Sequence, residues 1–118
     1  MNSNKRFIQF LKIELDDLES DLNLMINNNQ ERRDHGLITG HVAKENIAVF
    51  RNEIAGLGCF RKIIDETDPS AFSGIDDLIA SVKNRFQVLI RTYDFVPAVE
   101  LYIDRKISKI MQYISQNP

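Results

Sequence analysis

The N-terminal part of the chain carries an uninterrupted apolar seam that steps by three or four residues at a time. Its members are Ile8, Leu11, Leu15, Leu18, Leu22 and Met25. This spacing places side chains on one face of an α-helix, whereas an exposed strand would alternate between apolar and polar residues. The same helical periodicity recurs in three later segments, so the sequence predicts an all-α protein.

Capping and helix-breaking residues divide this periodicity into four segments. Thr39 and Ser73 precede two of the apolar segments at positions suited to N-caps. Pro69 stops the second helix, and Pro97 fits the first turn of the fourth. The predicted helices cover roughly residues 4–29, 40–66, 74–94 and 97–115.

The end of the first helix is the least defined of these boundaries. Residues 27–29 are three consecutive asparagines, which lower helix propensity. Gly36 offers a C-terminal cap farther on. The first helix is therefore expected to end between Asn27 and His35.

Short connections after the second and third helices require antiparallel neighbours. The economical packing is an up-down-up-down four-helix bundle forming a single domain over residues 1–118. A three-helix or domain-swapped dimeric arrangement is the alternative. In the bundle, the end of the first helix, the start of the second, the end of the third and the start of the fourth should meet.

Composition narrows the choice of function. The chain has 15 basic and 17 acidic residues and a net charge of −2, so it has no broad positive field for a polyanion, and nucleic acid is unlikely as a partner. The basic residues Arg105, Lys106 and Lys109 are interpreted as a solvated face. Cys59 is the single cysteine, which favours the cytoplasm. No apolar run is long enough to span a membrane, and no cofactor is expected.

Both histidines fall at the predicted meeting point of the helix ends. His41 and Glu45 lie one helical turn apart, and with His35 nearby they could form part of a metal site. Tyr93 and Asp94 are expected to lie near them, which defines a possible polar site. An ordinary solvated helix end is the main alternative, because no Glu precedes either histidine at the spacing of bundle metal sites.

The four residues "HVAK" that begin at His41 resemble the His-x-x-Lys core of histidine phosphotransfer domains, which are helical bundles of similar size. The resemblance covers these four residues. It implies that His41 accepts a phosphoryl group and that Lys44 supplies the nearby positive charge.

A polar stripe interrupts the apolar face of the second helix. A helical wheel places Asn46, Glu53 and Arg61 near its inward side, and Arg85 near the inward side of the third helix. A buried Glu needs a partner, so we expect Glu53 to pair with Arg85 or Arg61 in a buried polar cluster. A polar pocket inside the bundle is the alternative interpretation.

Catalytic motifs are not apparent in the sequence. Gly56 and Gly58 lie inside a predicted helix rather than in a phosphate-binding loop, and small residues there allow a neighbouring helix to approach closely. Cys59 beside them has no histidine nearby in sequence and is expected to be inert packing.

Several apolar side chains point away from the predicted seams. They are Phe10, Ile13 and Leu24 on the first helix and Leu101 on the fourth. A helix with two apolar faces in a small soluble protein indicates an interface. The sequence therefore predicts a non-enzymatic bundle that acts by self-association, as a homodimer, or by docking to a protein partner.

Overall fold

Four α-helices make up most of residues 2–118, the part of the chain that the computed structural model describes. They are α1 (Ser3–Asp34), α2 (Gly40–Asp65), α3 (Ile75–Tyr93) and α4 (Pro97–Gln116), with a short 3-10 helix, Pro69–Ala71, between α2 and α3. Met1, the first residue of the predicted domain, lies outside the described residues.

Consecutive helices run in opposite directions, as contacts between helices show. Along each pair, residue numbers rise on one helix as they fall on the other. The contacts are Lys12–Asp65 and Asn29–Asn46 between α1 and α2, Phe10–Tyr113 and Glu14–Lys106 between α1 and α4, and Lys83–Asp104 and Gln87–Glu100 between α3 and α4. The predicted up-down-up-down four-helix bundle is confirmed.

The apolar seams meet in one main core. The apolar residues of α4 that recur every three or four positions are all buried: Val99, Ile103, Ile107, Ile110 and Ile114. They pack with buried residues of the other three helices, among them Phe7, Leu11, Leu57, Phe60, Leu78 and Phe86. Tyr93, the last residue of α3, is 60% exposed.

The helices differ in length, and this sets the shape of the molecule. α1 has 32 residues and α2 has 26, against 19 and 20 for α3 and α4. At about 1.5 Å per residue, α1 is about 48 Å long and α3 about 28 Å. The longest dimension of the molecule is 54 Å.

The connection between α3 and α4 lies against the middle of α2 rather than at its start. The Val96 N–H donates to the Asn52 side-chain oxygen at 2.8 Å. The expectation that the start of α4 meets the start of α2 is therefore wrong, because α3 and α4 are too short to reach it. Residues 23–34 of α1 and 40–51 of α2, with their connecting turn, extend beyond the bundle and are called the projecting hairpin below.

The projecting hairpin has its own seam, separate from the main core. Ile26, Ala43 and Ile47 are buried between its two helices. Met25, which the sequence places on the seam of α1, is 46% exposed, and Ile26 is buried instead. The seam shifts because only α2 covers α1 beyond Leu22.

Two of the predicted caps are confirmed and one is wrong. The Thr39 hydroxyl oxygen accepts from the Val42 N–H at 3.2 Å, and Gly36 ends α1 with a left-handed φ of 71°. The sequence predicts Ser73 as the cap of α3, but the N-cap is Gly74, and the Ser73 hydroxyl donates to the Asp77 carboxylate at 2.6 Å.

Candidate functional site

One face of the projecting hairpin is left uncovered where α3 and α4 end. We call this face the shelf and define it by five residues: Met25, Asn29, Val42, Asn46 and Val49. Its α2 members are spaced by four and three residues, so they share one side of the helix. The shelf continues toward the bundle as the face that buries Glu53, one turn beyond Val49.

The shelf is apolar at its edges. Val42 is 41% exposed, and Met25 and Val49 are each 46% exposed. Farther along α2 the equivalent positions lie under α4 and are buried. The shelf is thus a core-like surface that has no covering helix among residues 2–118.

A hydrogen-bonded asparagine pair crosses the centre of the shelf. The Asn29 amide donates to the Met25 carbonyl oxygen at 2.9 Å, and the Asn46 amide donates to the Asn29 side-chain oxygen at 3.0 Å. Asn29 is buried, whereas Asn46 is exposed. The Asn46 side-chain oxygen accepts no hydrogen bond within residues 2–118, so one acceptor faces outward.

The α3–α4 connection forms a wall at the inner end of the shelf. Asp94 ends α3 in a left-handed conformation with a φ of 53°, which turns the chain toward α2. Phe95 and Val99 then pack directly on Gly56, where a Cβ would lie 2.8 Å from a Val99 methyl group and 3.3 Å from the Phe95 ring. The predicted close approach therefore occurs at Gly56, while Gly58 meets open space.

Glu53 lies where the floor of the shelf meets this wall. The side chain belongs to a residue that is only 4% exposed. Its Oε2 atom is one of two buried side-chain oxygens without a hydrogen bond in residues 2–118, the other being Asp104 Oδ1. Asp104 Oδ1 is 2.9 Å from the Lys83 ammonium group, whereas Glu53 forms no salt bridge within residues 2–118.

Burial is the main influence on the ionisation of Glu53. Loss of solvent raises the pKa of its carboxyl group above the ordinary 4.5, and a hydrogen bond from the Tyr102 hydroxyl offsets part of this rise. Burial and the Glu53 charge likewise raise the pKa of Tyr102. Glu53 and Tyr102 thus lie at the edge of an apolar core, where a charge without a full set of partners is unfavourable.

The predicted buried polar cluster does not form around Glu53. Arg61 pairs with Asp16 and Asp65, and it lies about 12 Å along α2 from Glu53. Arg85 is exposed and donates to Glu66 at 3.1 Å. Both arginines find carboxylates nearer the outside of the bundle, so the predicted pairs with Glu53 are wrong.

The residues of the predicted polar site are not brought together. His41 Nε2 and Glu45 Oε1 are 3.1 Å apart on exposed side chains. Tyr93 instead lines a groove with Cys59, which lies eighteen residues after His41 and thus about 27 Å farther along α2. The grouping of His41 and Glu45 with Tyr93 and Asp94 is therefore wrong.

The arrangement around His41 also bears on its two chemical alternatives. The Glu45 carboxylate against the imidazole repels a phosphoryl group, since both are negatively charged. Within residues 2–118, no group of three or more His, Cys, Asp or Glu side chains is placed to hold a metal ion. Neither His35 nor His41 thus has a described ligand set around it.

Three of the four predicted interface residues are exposed. Ile13 is 58%, Leu24 65% and Leu101 48% exposed. Phe10 is half-buried because the Tyr113 ring of α4 packs edge-on against it, with centroids 5.2 Å apart. Exposure agrees with the predicted outward directions, while the role of Ile13, Leu24 and Leu101 in an interface stays a prediction.

The basic residues of α4 are mostly engaged within the chain. Lys106 and Lys109 lie 2.9 Å and 2.7 Å from the Glu14 carboxylate. Hydrogen bonds from Lys109 and then Lys106 lower the pKa of Glu14. These contacts hold α4 against α1, and they pair the charges of Lys106 and Lys109 with a carboxylate of the same chain.

Sequence reasoning missed Asn29 and the open face around it. The sequence contains a signal for it, because Asn29 continues the spacing of Leu22 and Ile26 and the helical wheel places Asn46 near the inward side of α2, although Asn46 is exposed in the structure. Recognising the pair required knowing that α1 continues past the asparagine run.

A search of protein-family models, curated proteins and solved structures found no match to this chain.

Proposed function

We propose that this protein acts without catalysis, as a helical module that associates with a second copy of itself through the shelf. The observation that carries the proposal is the core-like face of the projecting hairpin, which no helix covers among residues 2–118. Two antiparallel helices with an open apolar face are half of a four-helix arrangement. A second hairpin laid on the first would complete it.

Burial of the apolar side chains of the shelf would drive the association of two copies. Val42, Val49 and Met25 are each more than two-fifths exposed. Removing apolar side chains of this size from water stabilises a contact by about 25 cal/mol per Å². These three residues share one face of the hairpin and lie on either side of the Asn29–Asn46 pair.

The non-catalytic part of the proposal is supported by the surroundings of the reactive side chains. His41 is paired with Glu45 on an exposed helix end. Cys59 lies in the groove between α2 and α3, without either histidine beside it. No observation favours the phosphotransfer or metal alternatives over association.

The proposed location is the cytoplasm, on the strength of the single cysteine. In residues 2–118, no helix combines the length and apolarity needed to cross a membrane.

Sedimentation velocity over a concentration range tests the proposal with a matched pair of variants. Val49→Asp places a charge on the shelf, whereas Val88→Asp makes the same change on an exposed residue of α3, away from the hairpin. We expect wild type and Val88→Asp to shift from one chain to two as concentration rises, and Val49→Asp to stay monomeric. Circular dichroism should show the same helix content in all three.

Two results would contradict self-association through the shelf. One is a wild-type chain that keeps the mass of a single copy at every concentration. The other is a dimer that Val49→Asp and Val88→Asp weaken equally, because that result would place the interface elsewhere.

A further inference from the structure

Two neighbouring positions of α2 hold the start of α4. The Val96 N–H donates to the Asn52 side-chain oxygen at 2.8 Å. One helical turn farther along α2, Val99 packs directly on Gly56. Val96 is the N-cap of α4 and has no side-chain cap hydrogen bond, so these contacts locate the start of α4 on α2. We call the contacts of Asn52 and Gly56 with residues 95–99 the joint.

Glu53 is the acidic residue beside the joint. It lies one residue after Asn52 and three before Gly56. The residue is only 4% exposed, and its Oε2 atom accepts no hydrogen bond within residues 2–118. The Tyr102 hydroxyl of α4, three residues after Val99, donates the hydrogen bond that the carboxyl group does receive. Glu53 therefore contacts the same part of α4 that the joint holds.

The elements packed around Glu53 supply no cation to its carboxyl group within residues 2–118. The influences on its ionisation are burial and the Tyr102 hydroxyl. The other charged side chains on these elements are exposed or paired elsewhere. They are Asp21 of α1, Arg51 of α2, Asp94 of the connection, Glu100 of α4, which accepts from Gln87 of α3, and Arg105 and Lys106 of α4, which act on Tyr102 and Glu14.

A carboxyl group in this position is more stable neutral than charged. The charged form loses its hydration and gains one donor, whereas the neutral form has less hydration to lose. Burial accordingly raises the pKa of Glu53 above 4.5. The closed joint therefore has its full stability below the unfolded-state pKa, and it loses part of that stability as the pH rises through the folded-state value.

The start of α4 is the part of the surroundings of Glu53 that can move most easily. Toward α1, the antiparallel register places Leu22 near Glu53, and Leu22 belongs to the main core. Toward α4, the covering residues are those of the joint and the half-buried Tyr102. Farther along, α4 is held in the main core by Ile107, Ile110 and Ile114. Local opening is easiest where few buried side chains are displaced, so the start of α4 can separate while the rest of the helix stays packed.

We propose that the joint is a pH-sensitive contact: it is closed when Glu53 is neutral, and when Glu53 is charged the start of α4 and the α3–α4 connection separate from α2 while the rest of the bundle stays folded. Separation uncovers the side of α2 around Gly56. The change takes place within one chain, so it does not depend on the proposed self-association.

Hydrogen exchange of the Val96 amide reports directly on the joint, because its acceptor is the Asn52 side chain. NMR of dilute protein between about pH 5 and about pH 8 measures the protection of this amide, corrected for its intrinsic exchange rate, and follows the Glu53 carboxyl signal in the same samples. We expect the protection of Val96 to fall by about tenfold as Glu53 ionises, while that of the Ile107 amide in the main core stays constant.

Two variants separate the effect of Glu53 from that of other acidic groups. Glu53→Gln cannot ionise, so the Val96 amide should be equally protected at both ends of the pH range. Glu14→Gln removes a carboxylate that pairs with Lys106 and Lys109 farther along α4. This variant should keep the pH dependence of the wild-type chain.

Three results would overturn the pH-sensitive joint. The first is a Glu53 that ionises while Val96 keeps its protection, because its carboxylate then reaches water without opening the joint. The second is an equal loss of Val96 protection in Glu53→Gln, which would assign the pH dependence to another group. The third is a Glu53 carboxyl group whose ionisation does not change over this pH range. A chain that is monomeric at every concentration rejects the proposed function and leaves this test unaffected.

Discussion

At the scale of single residues, Glu53 is the side chain least suited to its surroundings in one isolated copy. It is buried against Tyr102, and its second oxygen has no donor within residues 2–118. The sequence indicates its inward position through the spacing of Asn46 and Glu53 on α2. It does not indicate the partner, because the position of Tyr102 depends on how far α4 reaches along α2.

Replacing Glu53 by Gln should stabilise the monomer at neutral pH. Because folding raises the pKa of Glu53 above 4.5, its favourable contribution is present below the unfolded-state pKa and is lost as pH rises toward the folded-state value. The variant should be more stable by roughly 1–2 kcal/mol at about pH 8, and the difference should vanish near about pH 4. Chemical denaturation of dilute, monomeric protein measures it.

Glu14→Gln provides the control with the opposite sign. Lys109 and Lys106 lower the pKa of Glu14, so its stabilisation is present above the unfolded-state pKa and is lost as pH falls through the lowered folded-state value. This variant should be less stable than wild type by roughly 0.5–1 kcal/mol at neutral pH. If Glu53→Gln also destabilised the protein at neutral pH, the Glu53 carboxylate would have to be paired with a hydrogen-bond donor or a cation instead of being buried without one.

At the scale of the helices, local signals define most boundaries. Three helix ends are formed by the residues that the sequence indicates: Pro97 begins α4, Thr39 caps the start of α2, and Gly36 follows the end of α1. Each signal is local, because it depends on the backbone or side chain of that residue alone. The sequence leaves the end of α1 open between the asparagine run and Gly36. The hydrogen bond between Asn29 and Asn46, seventeen residues apart, is visible only once α1 and α2 are packed.

Two glycines of α2 give a matched test of the close approach between α2 and α4. Gly58→Ala should stabilise the protein by about 0.5–1 kcal/mol, because its Cβ meets open space and Ala favours a helix. Gly56→Ala should destabilise it by about 1 kcal/mol, because the added carbon would lie 2.8 Å from buried Val99. Thermal denaturation compares them, and a gain at both positions would show that α4 does not pack this closely.

At the scale of the whole molecule, the four-helix bundle follows from the periodicity and the short connections, which the sequence contains. The shelf does not follow from them. Its existence depends on the α3–α4 connection contacting Asn52 and Gly56 rather than the start of α2. That contact separates His41 from Tyr93 and leaves Val42 and Val49 uncovered.

The projecting hairpin is the surface through which two copies are proposed to associate. The most direct test is a dilution series of isotope-labelled protein, followed by backbone amide resonances. Association through the hairpin predicts concentration-dependent shifts in residues 23–34 and 40–53, with the resonances of the exposed residues around Val88 of α3 unchanged. Shifts centred on α3, or no shifts in a range where the mass doubles, would contradict it.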